Sequence, residues 1–246
     1  MPREWDAATY DRLSIPMTSW GAAVLEWLDL RGNELVLDAG CGTGKVTALL
    51  LELLPQGRVI ALDGSASMIA AARERLGDDR VEFLVADLAC PLPLPEPVDA
   101  ILSTATFHWI ADHDELFANL ARVMKPGAQL AAQCGGAGNI ANVEAALREM
   151  GRDFRGAKHF ATPEETAARL EAAGYIDIEV WLHDEPTPLP PEELESYLEA
   201  VCLGDIVEPM GATERQAFVA DVGRRMPEPL IDYVRLNIRA RRAGLR

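Results

Sequence analysis

An apolar run ends in Asp38 within the stretch LVLDAGCGTGKVT, residues 35–47, and glycine then recurs at Gly40, Gly42 and Gly44 before a segment that reads as a helix. Glycines so spaced remove the side chains that would hold a ligand away from the backbone. Asp63 closes the next apolar run, RVIALD, 23 residues after Gly40, where a carboxylate can accept both hydroxyls of a ribose. Asp87 closes a third run, VEFLVAD, with Leu88 beside it, and a fourth run, VDAILST, leads to His108-Trp109. Three acidic run-ends and a glycine loop suit a nucleoside-bearing ligand held at one edge of a sheet.

Two common ligands fail on spacing. A triphosphate loop needs G-x-x-x-x-G-K followed by serine or threonine, but Ala39 stands at the first glycine and Val46 at the hydroxyl. A dinucleotide fingerprint, G-x-G-x-x-G, would place its third glycine at Lys45, which argues against an NAD-dependent oxidoreductase. What remains is the tighter D-x-G-x-G-x-G of Asp38 through Gly44.

The elements that must position these residues alternate. From residue 35, short apolar strands are separated by helical segments, with Ser65 as an N-cap and Gly77 as a C-terminal stop for one of them. Continuous apolar strands predict a parallel sheet covered on both faces, in an α/β fold. After Cys134, helices are expected over 141–155 and 163–173, a strand at YIDIEVWL, and a helical cap over 190–226. Val234, Leu236, Ile238 and Ala240 alternate with Arg235, Asn237, Arg239 and Arg241, a half-buried strand whose arginine face is expected in solvent or, failing that, clamping an anionic substrate. The first 30 residues read as helical, and DELFANLARVMKPG as a helix leading into a strand at AQLAAQC.

The D-x-G-x-G-x-G motif with Asp63 and Asp87 resembles motif I and its partner positions in the class I S-adenosylmethionine-dependent methyltransferases, over about residues 35–135 and more loosely towards both ends. The resemblance implies a Rossmann-like, seven-stranded, mainly parallel sheet whose last strand is antiparallel. It implies S-adenosyl-L-methionine as cofactor and S-adenosyl-L-homocysteine as product. Asp38, Gly40, Gly42 and Gly44 would face the methionine moiety, Asp63 the ribose, and Asp87 with Leu88 the adenine. His108-Trp109, Lys125-Pro126-Gly127 and an early Tyr10-Asp11 further resemble the group that includes trans-aconitate methyltransferase and the malonyl-carrier-protein methyltransferase of biotin synthesis. That implies a single domain: residues 1–30 as a lid, 35–135 as the cofactor-binding core, and 190–226 as a cap inserted between the last two strands. Tyr10, Trp20 and Trp109 would shape the substrate pocket.

The group's better-known members esterify carboxylates, which need no base. Transfer to oxygen is therefore the leading expectation, with His108 lining the pocket while an arginine or hydroxyl orients the acid. A second reading makes His108 the general base for a phenol, alcohol or amine, with a pKa near 6.5. Methylation of nitrogen or carbon, and a non-catalytic protein that binds the cofactor or its product, stay open. Ser103-Thr104-Ala105-Thr106 lacks the proline pair of base and amide methylation, Ser103 is no magnesium-binding carboxylate, and no glutamate appears between this strand end and Glu115 to form the pair that protein arginine methylation needs, so no metal is expected.

The chain of 246 residues is long enough for a sizeable core, and its formal net charge of −16 argues against nucleic acid as a partner. No apolar run approaches the roughly 18 residues of a membrane span, and no leader pattern opens the sequence. Its four cysteines form no C-x-x-C pair. A cytoplasmic enzyme acting on a small molecule, without membrane or nucleic-acid partners, is the expectation; oligomeric state has no signature.

Overall fold

The computed structural model describes residues 15–77, 79–154 and 158–244, so the expectations for Tyr10, for Asp11 and for the start of the 1–30 lid lie outside it. Helix α1 (Ile15–Leu25) precedes β1 (Leu35–Ala39), α2 (Lys45–Leu53), β2 (Arg58–Asp63), α3 (Ala66–Leu76) and β3 (Val81–Val85). Strand β4 (Val98–Thr104) is followed by one 3-10 turn (Phe107–Trp109), then α4 (His113–Arg122) and β5 (Met124–Gly135). Helices α5 (Ala141–Glu149) and α6 (Pro163–Ala172) lead to β6 (Tyr175–Pro188). Short helices α7 (Leu194–Tyr197) and α8 (Gly204–Val207) and the longer α9 (Ala212–Arg225) then precede β7 (Leu230–Arg242).

The seven strands form one sheet in the order β3-β2-β1-β4-β5-β7-β6. The first five are parallel, and β7 runs antiparallel between β5 and β6. All five residues of β1 are buried, as expected of a central strand covered on both faces. On one face Leu35, Leu37, Ile60, Ile101 and Leu130 pack with Leu116, Phe117 and Leu120 of α4 and Leu170 of α6. On the other, Val36, Val59, Ala100 and Leu102 meet Val24 and Leu25 of α1 and Leu50 and Leu51 of α2. A separate cluster joins Val143 and Leu147 of α5 to Tyr197, Leu198, Val219 and Val222, over Ile231 and Tyr233 of β7. Residues 191–225 thus add a helical layer, linked to β6 and β7, at the end of the sheet where β7 begins.

Two local expectations need correction. Lys125-Pro126-Gly127 does not end a helix: α4 stops at Arg122 and the three residues lie within β5, where the Lys125 ammonium bonds Asp99 of β4 at 2.8 Å. The arginine face of β7 is not uniformly solvated. Arg239 is exposed, but Arg235 is 2% exposed, against Trp20 of α1 and Tyr233, and Asn237 is 0% exposed, bonded to Gln133, Trp181 and His183. A period of two tells which residues share a face, not whether something covers it.

Candidate active site

The carboxyl ends of β1, β2 and β3 lie side by side, with Ala39 opposite Leu62 and Asp63 opposite Val85. Asp38 is buried; its Oδ2 accepts a hydrogen bond from Thr47 Oγ1 at 2.6 Å, while its Oδ1 has no partner. Burial and the nearby Asp63 carboxylate raise its pKa to about 7 against the pull of Thr47. Asp63 accepts from the Gly42 amide and the Ser65 amide, each at 2.9 Å, and so braces the glycine loop against the start of α3. Asp87 lies two residues beyond β3 rather than at its end; its Oδ1 accepts from Ala89 N at 3.0 Å, and Leu88 beside it is buried.

Gly40, Gly42 and Gly44 all have positive φ, 88°, 54° and 81°, which L side chains rarely adopt. Their surroundings differ. A Cβ on Gly40 would sit 2.1 Å from Thr106 Oγ1, and one on Gly44 would crowd Leu76 and Ala72 of α3 at 3.0 and 3.3 Å. A Cβ on Gly42 would meet no atom of the described residues within 4 Å. The motif therefore closes two internal contacts and leaves one open face, while Asp38 at its start keeps a buried oxygen without a partner. A cationic, nucleoside-bearing cofactor fits this set.

Across the loop from Gly40, the chain leaves β4 through Ala105, whose φ of 55° is unusual for a residue other than glycine. Ala105 and Ile140 (φ 53°) both line one pocket, so two strained backbone positions converge on it. Its other lining residues are His108, Trp109, Asn139, Lys158, Phe160, Val201, Cys202, Tyr233 and Arg235, and it offers about 430 Å³ of free space, open mouth included.

His108 is buried, between Trp109 and Phe160, whose ring centroids lie 5.1 and 5.9 Å away. Its Nδ1 accepts from the Gly135 amide at 3.3 Å, so the ring proton sits on Nε2. Burial, reinforced by Arg235, Lys158 and His113, pushes its pKa well below 6.5. His108 is thus a neutral hydrogen-bond donor. His113, at the start of α4, secures the turn that carries it: its Nε2 bonds the Phe107 carbonyl at 3.0 Å, and burial pushes its pKa down to about 4.

Two cations share the pocket. The Arg235 guanidinium carbon lies 4.7 Å from the Trp20 ring centroid, and its Nε donates to Gln133 Oε1 at 3.3 Å. The Lys158 ammonium lies 4.7 Å from the Trp109 ring and 4.2 Å from that of Phe154, and it donates to the Cys202 carbonyl. No carboxylate is among the described lining residues. The overall charge is strongly negative, yet this site is cationic.

The sequence-derived residues thus fall into two groups, one of Asp38, the glycines, Asp63, Asp87 and Leu88 at the sheet edge, the other of His108 and Trp109 in the pocket, with Trp20 reaching it through Arg235. Lys158 was missed, since nothing around it in sequence marks it. Arg235 was seen only within a run of arginines. Gln133, a polar residue inside the apolar stretch AQLAAQC, is the signal that a buried polar partner had to exist.

A methyltransferase-domain family model matches residues 36–127. Trans-aconitate 2-methyltransferase from Acidovorax ebreus is 31% identical over 236 residues, covering 92% of this chain and 90% of that protein. The Escherichia coli protein of the same name is 35% identical over 130 residues, 53% of this chain and 50% of its own. Among solved structures, Haemonchus contortus phosphoethanolamine N-methyltransferase 2, with S-adenosylhomocysteine bound, superposes with a TM-score of 0.68 at 20% identity, covering 97% of this chain and 57% of that one. The Mycobacterium tuberculosis cyclopropane synthase MmaA2 follows at 0.61 and 16%, covering 91% and 82%. One fold thus carries differently named reactions, and the pocket must say which applies.

The chain belongs to the class I S-adenosylmethionine-dependent methyltransferases. It is an enzyme that uses S-adenosylmethionine, and within the family it is similar to the trans-aconitate 2-methyltransferases.

Proposed function

We propose that the protein transfers a methyl group to a carboxylate oxygen of a small organic acid. The observation that carries this reading is the buried Arg235, which shares a pocket with Lys158 and a neutral His108. A guanidinium presents paired N–H donors that match the two oxygens of a carboxylate, and Lys158 adds a second positive charge. An acid of this kind is ionised at neutral pH, so its oxygen needs no deprotonation. A phenol or alcohol would need a base; the His108 Nδ1 is engaged by a backbone N–H, and its proton affinity is depressed.

When bound, the cofactor would supply a sulfonium-activated methyl group, the C–S bond giving way to a bond with the carboxylate oxygen, so that a neutral thioether and a methyl ester would result. The residues around it position rather than react. Asp63 and Asp87 would hold the nucleoside, the open face of Gly42 would admit the amino-acid portion, and Asp38 would offset its positive charge. Arg235 and Lys158 would hold the acid, with the His108 Nε2–H donating to one of its oxygens. Holding the oxygen in line with the methyl group, at about 3–3.5 Å, supplies most of the available rate gain. The similarity to trans-aconitate 2-methyltransferases supports the same reading.

The test is methyl transfer from labelled S-adenosylmethionine to a panel of mono-, di- and tricarboxylic acids, trans-aconitate included, beside phenols and amines. A product that releases methanol in mild base identifies an ester. Labelling of phenols or amines with no acid labelled would reject the proposal.

A further inference from the structure

Arg235 is held in the pocket by two amides that do not line it. Gln133 of β5 and Asn237 of β7 are direct cross-strand partners and are 4% and 0% exposed. Asn237 Nδ2 faces three acceptors: the carbonyl oxygens of Trp181 and Arg235, both at 3.2 Å, and Nδ1 of His183 at 2.8 Å. Carbonyl oxygens only accept, so the amide nitrogen has to face them, which turns Asn237 Oδ1 towards Gln133. Oδ1 also only accepts, so Gln133 offers it Nε2, at 2.9 Å, and turns its own Oε1 to Arg235. Arg235 Nε then donates to that oxygen at 3.3 Å. Each link dictates the next, from the backbone of β6 to the guanidinium.

We propose that Gln133 and Asn237 are positioning residues, which set the rotation of the Arg235 fork and thereby the direction in which the acceptor acid is presented. This rests on the reading that Arg235 clamps a carboxylate. Packing over Trp20 at 4.7 Å fixes how far the guanidinium stands from that ring. The Nε hydrogen bond adds a direction, because Nε–H lies in the plane of the fork and its direction fixes where the two terminal nitrogens point. A buried amide chain whose every member has a partner gives such orientation without a buried charge. The hydrogen bonds of both side-chain amides run to β6, to β7 and to each other, so their loss is expected to act on the acceptor.

The variants are Gln133→Met, which keeps the length and removes the acceptor, and Gln133→Met combined with Asn237→Leu, which removes both facing amides and so avoids stranding one of them. The first readout is hydrogen exchange of the arginine Nε–H groups by nitrogen-15 NMR, with the Arg235 signal assigned by its disappearance in Arg235→Lys. The second is kcat and KM for trans-aconitate against KM for S-adenosylmethionine. We expect a protected Arg235 signal in the wild type and exchange faster by about tenfold or more in both variants, the scale of one hydrogen bond to a charged group. The kcat/KM for trans-aconitate falls by a similar factor or more, through kcat as well as KM because the acid is less well aimed, while the cofactor KM stays within about twofold. Merely structural damage would move both KM values together and would overturn the proposal. Wild-type exchange in the folded variants overturns the relay alone. Wild-type acceptor KM in Arg235→Lys overturns the clamp, and the proposal with it; the exchange measurement needs no acceptor, so the two failures are separable.

Discussion

Asp63 accepts a hydrogen bond from the Gly42 amide at 2.9 Å, so the carboxylate ending one strand fixes the loop that follows its neighbour. A second bond, from the Ser65 amide, ties the same group to the helix that follows, which leaves the carboxylate pre-aimed before any ligand arrives. Asp63→Ala removes both the brace and the proposed ribose contact. Affinity for S-adenosylhomocysteine should fall by about 1.5–3 kcal/mol, the range for hydrogen bonds to charged groups. Calorimetry with purified protein measures this directly, and unchanged affinity would remove Asp63 from the cofactor site.

The motif glycines should separate by experiment. Gly40→Ala forces a Cβ onto Thr106, so the protein should lose stability before cofactor binding is even at issue. Gly42→Ala meets no atom of the described residues and pays only for its positive φ, on the order of 1–2 kcal/mol. It should remain folded, with a modestly lowered Tm, and bind S-adenosylhomocysteine poorly because the methyl group occupies the open face. Normal binding by a folded Gly42→Ala protein would place the ligand elsewhere.

Asp38 makes stability depend on pH. Its pKa is raised on folding from 3.8 to about 7, so across that window the native state keeps a proton that the unfolded chain releases. Stability conferred by that proton is complete below the lower value, falls as pH rises through the upper one, and is absent above it. Relative to Asp38→Asn, the wild-type Tm should therefore drop between about pH 4 and 7 and run parallel above. A cation bound nearby favours the ionised form, so S-adenosylmethionine, with its positive sulfonium, should release up to about one proton near pH 6 and almost none above pH 8, read from calorimetry in buffers of different ionisation enthalpy. Parallel Tm curves throughout would mean that Asp38 is already ionised.

His108→Ala should lower kcat/KM for the acid by roughly ten- to a hundredfold rather than abolish turnover, because a donated hydrogen bond is lost and not a base. With its pKa held well below 6.5, His108 should leave no inflection in the wild-type rate profile between about pH 6 and 8. A rate that falls away below pH 6.5 in the wild type but not in a residually active His108→Ala enzyme would restore the general base.

The cofactor half was legible because its chemistry is local in sequence. Asp38 and the three glycines fall within seven residues, and Asp63 ends a strand whose apolar run is continuous. Asp87 was displaced by two residues, since periodicity locates strands better than their ends. The acceptor half was harder to read. Lys158 is 50 residues from His108 in sequence, and only the backbone bond from His159 N to the His108 carbonyl, 2.8 Å, shows why they meet. Arg235 was hidden by its neighbours, because alternation looks the same whether a helix or water covers the polar face. Trp20 was the clue on the covering side, an aromatic residue in an N-terminal helix in need of a surface.

The strand order β5-β7-β6 has a consequence for how the molecule comes into being on the ribosome. Strand β6 is synthesised before β7 but can join the sheet only through it, so β6 and the helices 191–225 must wait for the later strand to slot between its neighbours. Strands β1 to β5 can pair with one another by then, with only the outer edge of β5 waiting for β7. A nascent chain would therefore own a cradle for its methyl donor well before it owns a place for anything to be methylated, and the arrival of β7 would bring Arg235 and close the sheet in a single event.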